Sequence, residues 1–238
     1  MSGDERLIAA LIGYLRAEFG DDLLGVLATG SRVHGRPDPT SDLDAHVVIA
    51  PARRQRRNFV LDGVEIELFI NPPFQIRHYL AAGGTDPHMF AFGRAVYDPH
   101  GVIAALQAEG RAIWAAGPPP IQATWMPRYF AADLLRDIVD VAASDEASAN
   151  LLIARLVEHL VETHCRLSGR WPEKPKRRLA GLAQWDGQAA RLARAAMASD
   201  TLEERRASLE RLAAHVLAPL GGPMPLEWRT EWEELRPE

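Results

Sequence analysis

Gly30-Ser31-Arg32-Val33-His34-Gly35-Arg36-Pro37-Asp38-Pro39-Thr40-Ser41-Asp42-Leu43-Asp44-Ala45-His46-Val47-Val48-Ile49 is the stretch on which the reading of this chain turns. An apolar run, Leu23-Leu24-Gly25-Val26-Leu27-Ala28, precedes it. The pattern predicts a strand, a tight Gly-Ser turn, a short helix, a loop and a second strand. Side chains alternate along a strand, so Asp42 and Asp44 point the same way. Adjacent carboxylates repel, and a hard divalent cation such as Mg²⁺, which takes oxygen ligands, removes that cost. The Gly30-Ser31 turn offers backbone N–H groups at the expected helix start, a seat for phosphate. A phosphate seat beside paired metal carboxylates implies metal-assisted phosphoryl or nucleotidyl transfer.

Downstream, Phe59-Val60-Leu61-Asp62-Gly63-Val64-Glu65-Ile66-Glu67-Leu68-Phe69-Ile70 predicts a hairpin turning at Asp62-Gly63. Alternation puts Val64, Ile66 and Leu68 on one face and Glu65 and Glu67 on the other. Glutamates among apolar residues are costly when buried alone. Facing Asp42 and Asp44 across the sheet, they would have a cation to neutralise them.

This combination closely resembles the polymerase-β-like nucleotidyltransferase superfamily: Gly-Ser, a spacer, then Asp-x-Asp. The form Gly-Ser-Arg-x-x-Gly-Arg…Ser-Asp-Leu-Asp is similar to its bacterial branch, which includes aminoglycoside adenylyltransferases and minimal nucleotidyltransferase antitoxins. The domain resemblance extends to about residue 100. It implies that Asp42 and Asp44 hold two Mg²⁺ ions and that a third carboxylate on a neighbouring strand completes the site. The family pattern favours Glu67, with Glu65 the alternative; this chain carries Glu where Asp is commoner. The resemblance also implies that Gly30 and Ser31 cradle the phosphates of ATP or another NTP. Arg32 and His34 flank that turn, within reach of the γ-phosphate.

Composition narrows the acceptor. The 238 residues carry a net charge of −5. A protein tracking long nucleic acid usually shows a basic field, so polymerase-type activity is not expected. A small hydroxylated acceptor fits better. Basic residues cluster only at Arg53-Arg54-Gln55-Arg56-Arg57, read as a solvated connection between strands, and at Lys174-Pro175-Lys176-Arg177-Arg178. The single cysteine, Cys165, excludes an internal disulfide and fits a reducing cytoplasm. Its helical pattern makes it a packed thiol. Neither a membrane-length apolar run nor a signal-peptide pattern is present, so a cytoplasmic protein is expected. Oligomeric state is left open.

The expected fold class is α+β: an N-terminal nucleotidyltransferase α/β domain with a mixed sheet (residues 1–116), then a C-terminal helical bundle that binds substrate (residues 121–238). Gly117-Pro118-Pro119-Pro120 forms the linker, since three prolines cannot continue a helix. The first domain is read as a helix over 4–19, strands at 23–28, 43–50 and 59–70, helices at 74–82 and 86–93, a short strand at Arg94–Tyr97 and a helix at 102–115. Beyond the linker, the periodicity predicts helices at 123–143, 145–168, 178–197, 201–218 and 225–235. Leu152, Leu156, Leu160 and Leu167 form the apolar face of the 145–168 helix, and Gly169 stops it.

Arg155, Glu158, Glu162 and Arg166 share another face of that helix. They form either a salt-bridged, solvated stripe or a substrate-binding surface where Glu158 or Glu162 meets a cationic acceptor or takes its hydroxyl proton. Some aminoglycoside nucleotidyltransferases use a helical-domain glutamate in that way, and others use the third metal-site acid. Similar enzymes also place a basic residue just beyond this point to neutralise the triphosphate, which makes Lys174 and Lys176 the candidates. A second function class is an antitoxin-like regulator that binds or AMPylates a partner protein. Arg155 and His159 are separated by three residues, fewer than in the ribonuclease toxins of such modules, so that activity is not carried over. Trp125, Trp171 and Trp185 are read as core residues rather than base-stacking platforms.

Overall fold

Alternating apolar residues in the first hundred positions assemble one five-stranded sheet, and the 3.6-residue period that follows assembles helices alone. The computed structural model describes residues 3–33, 41–83 and 86–232. The chain divides into two compact units, Met1–Gly117 and Pro118–Glu238, parting at the proline run.

In the first unit, α1 (Gly3–Phe19) leads into β1 (Leu23–Thr29), β2 (Leu43–Ile49), β3 (Gln55–Leu61) and β4 (Val64–Asn71). Then come α2 (Pro73–Ala82), α3 (Asp86–Phe92), β5 (Arg94–Tyr97) and α4 (Val102–Ala116). The sheet order is β3-β4-β2-β1-β5. β2 and β4 run parallel; the other neighbours are antiparallel, so the sheet is mixed. Asp62 (φ 50) and Gly63 (φ 78) both have positive φ, the geometry that lets a two-residue loop follow the strand twist.

Each sheet face has its own core. Val26, Ala28, Ala45, Val47, Ile66, Leu68 and Ile70 pack with Leu7, Leu11 and Leu15 of α1. Leu27 and Val48 pack on the opposite side with Ile76, Leu80, Phe90, Ile103 and Leu106 of α2, α3 and α4. Full burial of each large aliphatic side chain contributes about 1.5–3 kcal/mol. Covered on both sides, β2 is buried at every position, and that explains its run of apolar residues.

The basic 53–57 segment is not all connection: Gln55, Arg56 and Arg57 open β3, the edge strand. Arginine suits an edge, where charge blocks pairing with another chain. Arg57 donates to both carboxylate oxygens of Glu18 at 2.7 Å and to Tyr14 Oη, tying the edge to α1.

The second unit contains α5 (Trp125–Val141), α6 (Glu146–Leu167), α7 (Arg178–Trp185), α8 (Gly187–Ala198) and α9 (Leu202–Leu217). The predicted 178–197 helix is two helices. Asp186 interrupts it, because its side chain accepts a hydrogen bond from Ala189 N and caps α8 instead of continuing α7. Residues 225–232 carry no helix, and the rest of the predicted 225–235 helix lies outside the described residues. The buried face of α6 is wider than the leucine row. Ile153, Leu156, Val157, Leu160, Val161 and Thr163 are buried, whereas Leu152 and Leu167 are only partly so. Ala189, Ala190, Ala193 and Ala196 give α8 a small-residue seam in the same core as Leu209, Leu212 and Val216 of α9.

His159 is strained electrostatically within this core. Its Nε2 is buried without a hydrogen-bond partner, and its ring sits 4.4 Å from that of Phe130. Burial pushes its pKa below 6.5 and the Arg155 charge adds to this, against an opposing hydrogen bond that the ring donates to the Pro127 carbonyl. As pH falls below that value, the unfolded chain binds a proton there that the folded chain refuses, so stability declines. Melting temperature is therefore expected to drop from about pH 7.5 to about pH 5.5. His159→Gln, which cannot take the proton, should flatten that slope.

Candidate active site

Strand register brings the acidic residues together. Asp44 pairs with Glu67 across the parallel β2–β4 ladder and with Thr29 across the antiparallel β1–β2 ladder. Directly opposed residues share a sheet face. Asp42 lies two positions before Asp44, where alternation returns it to that face. Carboxylate oxygens of Asp42, Asp44 and Glu67 all lie within 4.8 Å of one another. Asp44 is buried, and the other two are half-buried.

Gly30 follows β1 directly with φ 89, a region that L side chains rarely adopt. A Cβ there would lie 2.8 Å from Asp44 Oδ2. Both backbone and space therefore require glycine. Ser31 to Val33 form a turn; the helix expected after it falls mainly on 34–40, which, with His34, lies outside the described residues. Ser31 Oγ donates to Ser41 Oγ at 2.8 Å. The Arg32 guanidinium donates to the Ser41 carbonyl at 2.7 Å and to Asp4 Oδ1 at 2.9 Å. Arg32 thus binds the two sides of the loop to each other and to α1.

The structure separates the two glutamates. Glu67 joins the aspartates, whereas Glu65 is exposed and accepts from Asn58 Nδ2 at 3.0 Å. Arg56, missed as a site residue in the sequence, reaches from β3 to pair with Glu67, its guanidinium 4.1 Å from the centre of the Phe69 ring. The signal was its position opposite Phe69 in the hairpin. Thr29 was also missed: it is buried, and its Oγ1 has no hydrogen-bond partner. His46, two positions beyond Asp44, is enclosed by Phe69 and Phe90, with Nε2 3.3 Å from Met89 Sδ.

This set fits a hard divalent cation. Its donors are all oxygens, three like charges meet at one point, and an unsatisfied hydroxyl lies on the same face. Glu67→Gln is expected to weaken Mn²⁺ binding more than about tenfold, a cost above about 1.4 kcal/mol. Glu65→Gln should change it by less than about twofold. Calorimetric titration of both variants checks the assignment.

In the second unit, Arg178 is the common partner of Glu158 and Glu162, each at 2.9 Å. The other two members of that α6 face also pair away from it. Arg155 lies over the Phe130 ring at 5.3 Å, and Arg166 donates to the carbonyls of Pro119 and Pro120. Lys174 precedes a single 3₁₀ turn, Pro175–Arg177, that contains Lys176. Trp185 packs against the helical core, as expected, whereas Trp125 stacks on Trp228 at 5.6 Å. Cys165 is a buried free thiol, its pKa raised by burial. Among the described residues, no helix is long and apolar enough to cross a membrane.

No protein-family model matches the chain, and no curated protein sequence matches it. Among solved structures, it is similar to a nucleotidyltransferase-like protein from Exiguobacterium sibiricum 255-15. That match covers 91% of this chain and 75% of the other, at 15% identity and a TM-score of 0.53. At this identity the likeness speaks to fold alone, and the chemistry rests on the residues. The mixed five-stranded sheet followed by a helical part is a nucleotidyltransferase-like fold.

Proposed function

We propose that the Asp42–Asp44–Glu67 cluster is the centre of a Mg²⁺-dependent nucleotidyltransferase. It moves AMP from ATP onto a hydroxyl of a small acceptor and releases pyrophosphate. The observation that carries this reading is the convergence of three carboxylates beside a glycine whose Cβ would lie 2.8 Å from Asp44 Oδ2.

The acceptor oxygen attacks the α-phosphorus, a P–O bond forms, and the bond to the β-phosphate bridging oxygen breaks. Divalent cations bound to these carboxylates would neutralise the phosphates and acidify the attacking hydroxyl. The chain's own part is positioning and fixed charge. Asp42 and Asp44 hold the cation side, and Glu67, on the neighbouring strand, accepts the hydroxyl proton. The Gly30-Ser31 turn seats the β- and γ-phosphates on backbone N–H groups. Lys174 and Lys176 are the further candidates for the triphosphate charge. Arg56 pairs with Glu67 and would balance its charge when no cation is bound.

Pyrophosphate release tests the proposal, measured for each NTP with Mg²⁺ against a panel of hydroxylated acceptors, aminoglycosides among them. The expected result is acceptor-dependent release, greatest with ATP, together with an acceptor product heavier by one AMP. Release of orthophosphate in place of pyrophosphate would contradict it.

A further inference from the structure

Outside the carboxylate site, a second group of ligand-type side chains meets inside the helical unit. His164 on α6 and His215 on α9 both direct Nε2 at the same oxygen, Oδ2 of Asp186, at 2.8 and 2.7 Å. Asp186 sits at the junction of α7 and α8. Three chain segments far apart in sequence therefore aim three donor atoms at one point. All three side chains are half-buried, with exposures of 13%, 17% and 29% for His164, Asp186 and His215.

The surroundings hold the group ready. Capping α8 requires only Asp186 Oδ1, which accepts from Ala189 N at 2.9 Å, and this orients Oδ2 toward the imidazoles. The His164 ring stacks on the Trp185 ring, with centres 4.8 Å apart and planes at 30°, which restrains its orientation. Burial works to raise the Asp186 pKa. The Ala189 N–H and the two imidazole hydrogen bonds outweigh it, keeping the group ionised far into acid.

We propose that His164, Asp186 and His215 form a binding site for a borderline divalent transition-metal cation of the Zn²⁺ class. Two imidazole nitrogens and one carboxylate oxygen suit such an ion and offer little to Mg²⁺, which prefers oxygen throughout. Ligands about 2.1 Å from a tetrahedral ion lie about 3.4 Å apart, so each imidazole nitrogen needs to draw back from Asp186 Oδ2 by only about 0.7 Å. Each imidazole gives up its Nε2 proton contact with Asp186 and keeps its other nitrogen for a proton. The three protein ligands leave a fourth position for water. The bound ion ties α6, the α7–α8 junction and α9 together. This site is independent of the proposed transfer centre.

Co²⁺ and Zn²⁺ titrations of the metal-free full chain in millimolar Mg²⁺ test the proposal. The expected result is one equivalent bound, with visible Co²⁺ ligand-field bands. Zn²⁺ at about a hundred times its Kd should raise the melting temperature by about 5 °C. His164→Gln and His215→Gln should each weaken binding by more than about 100-fold, beyond the cost of losing an outer-shell partner. Asp44→Asn should keep the same Co²⁺ spectrum, which separates this site from the carboxylate cluster. X-ray absorption of the wild-type Zn²⁺ complex, which needs no variant, should show two imidazole nitrogens. Absence of stoichiometric binding, a zinc shell without imidazole, or full binding in both histidine variants would overturn the proposal. The cluster would then be a hydrogen-bonded brace only.

Discussion

Asp44→Asn is expected to reduce nucleotidyl transfer at least about 100-fold, an increase in barrier of about 2.7 kcal/mol or more. Asp44 is the most buried of the three acids and the central one, paired in register with Glu67 and preceded on the same face by Asp42. Asparagine keeps the shape and removes the charge. The fold should survive, because the change also relieves repulsion among three carboxylates within 4.8 Å of one another. Melting temperature should stay level or rise while pyrophosphate release collapses. Transfer within about tenfold of wild type would remove Asp44 from the reaction.

Gly30→Ala should produce a loss of similar size by a different route. The new Cβ meets Asp44 Oδ2 at 2.8 Å, and a backbone at φ 89 penalises any L side chain. Either the carboxylate shifts or the turn does. A displacement of about 1 Å in a reacting site costs about 100-fold in rate. Gly63→Ala is the control: Gly63 also has positive φ, but a Cβ there meets nothing within 4 Å. Both variants should lose about 1 kcal/mol of stability from backbone strain. Only Gly30→Ala should lose activity. Equal kcat/KM in the two would show that the close approach to Asp44 has no catalytic meaning.

What the sequence made legible follows from how local its cause was. Strand alternation and the Asp62-Gly63 turn are written within a few residues, so the hairpin and the shared face of Asp42 and Asp44 could be read directly. The choice between Glu65 and Glu67 could not. Both alternate onto one face, and only the Asp44–Glu67 register, set across two strands distant in sequence, separates them. Arg56 was hidden because a basic run reads as solvated, whereas an edge strand accepts the same residues with one face turned toward the site. Within the helical unit, periodicity found four helices but not the break at Asp186. A single polar residue does not disturb a 3.6-residue apolar pattern, and its capping role depends on the fold. The His164–Asp186–His215 meeting was invisible for the same reason: the three are 22 and 29 residues apart and join only when α6, α8 and α9 assemble.

The central claim is that the three carboxylates bind nucleotide through a divalent cation. It is tested most directly by calorimetric titration of the chain with the α,β-methylene analogue of ATP, with and without Mg²⁺. One nucleotide per chain is predicted to bind only when the cation is present. Affinity should fall more than about tenfold in Asp44→Asn, about 1.4 kcal/mol or more. Binding that is as tight without a divalent cation, or unchanged in Asp44→Asn, would contradict the account.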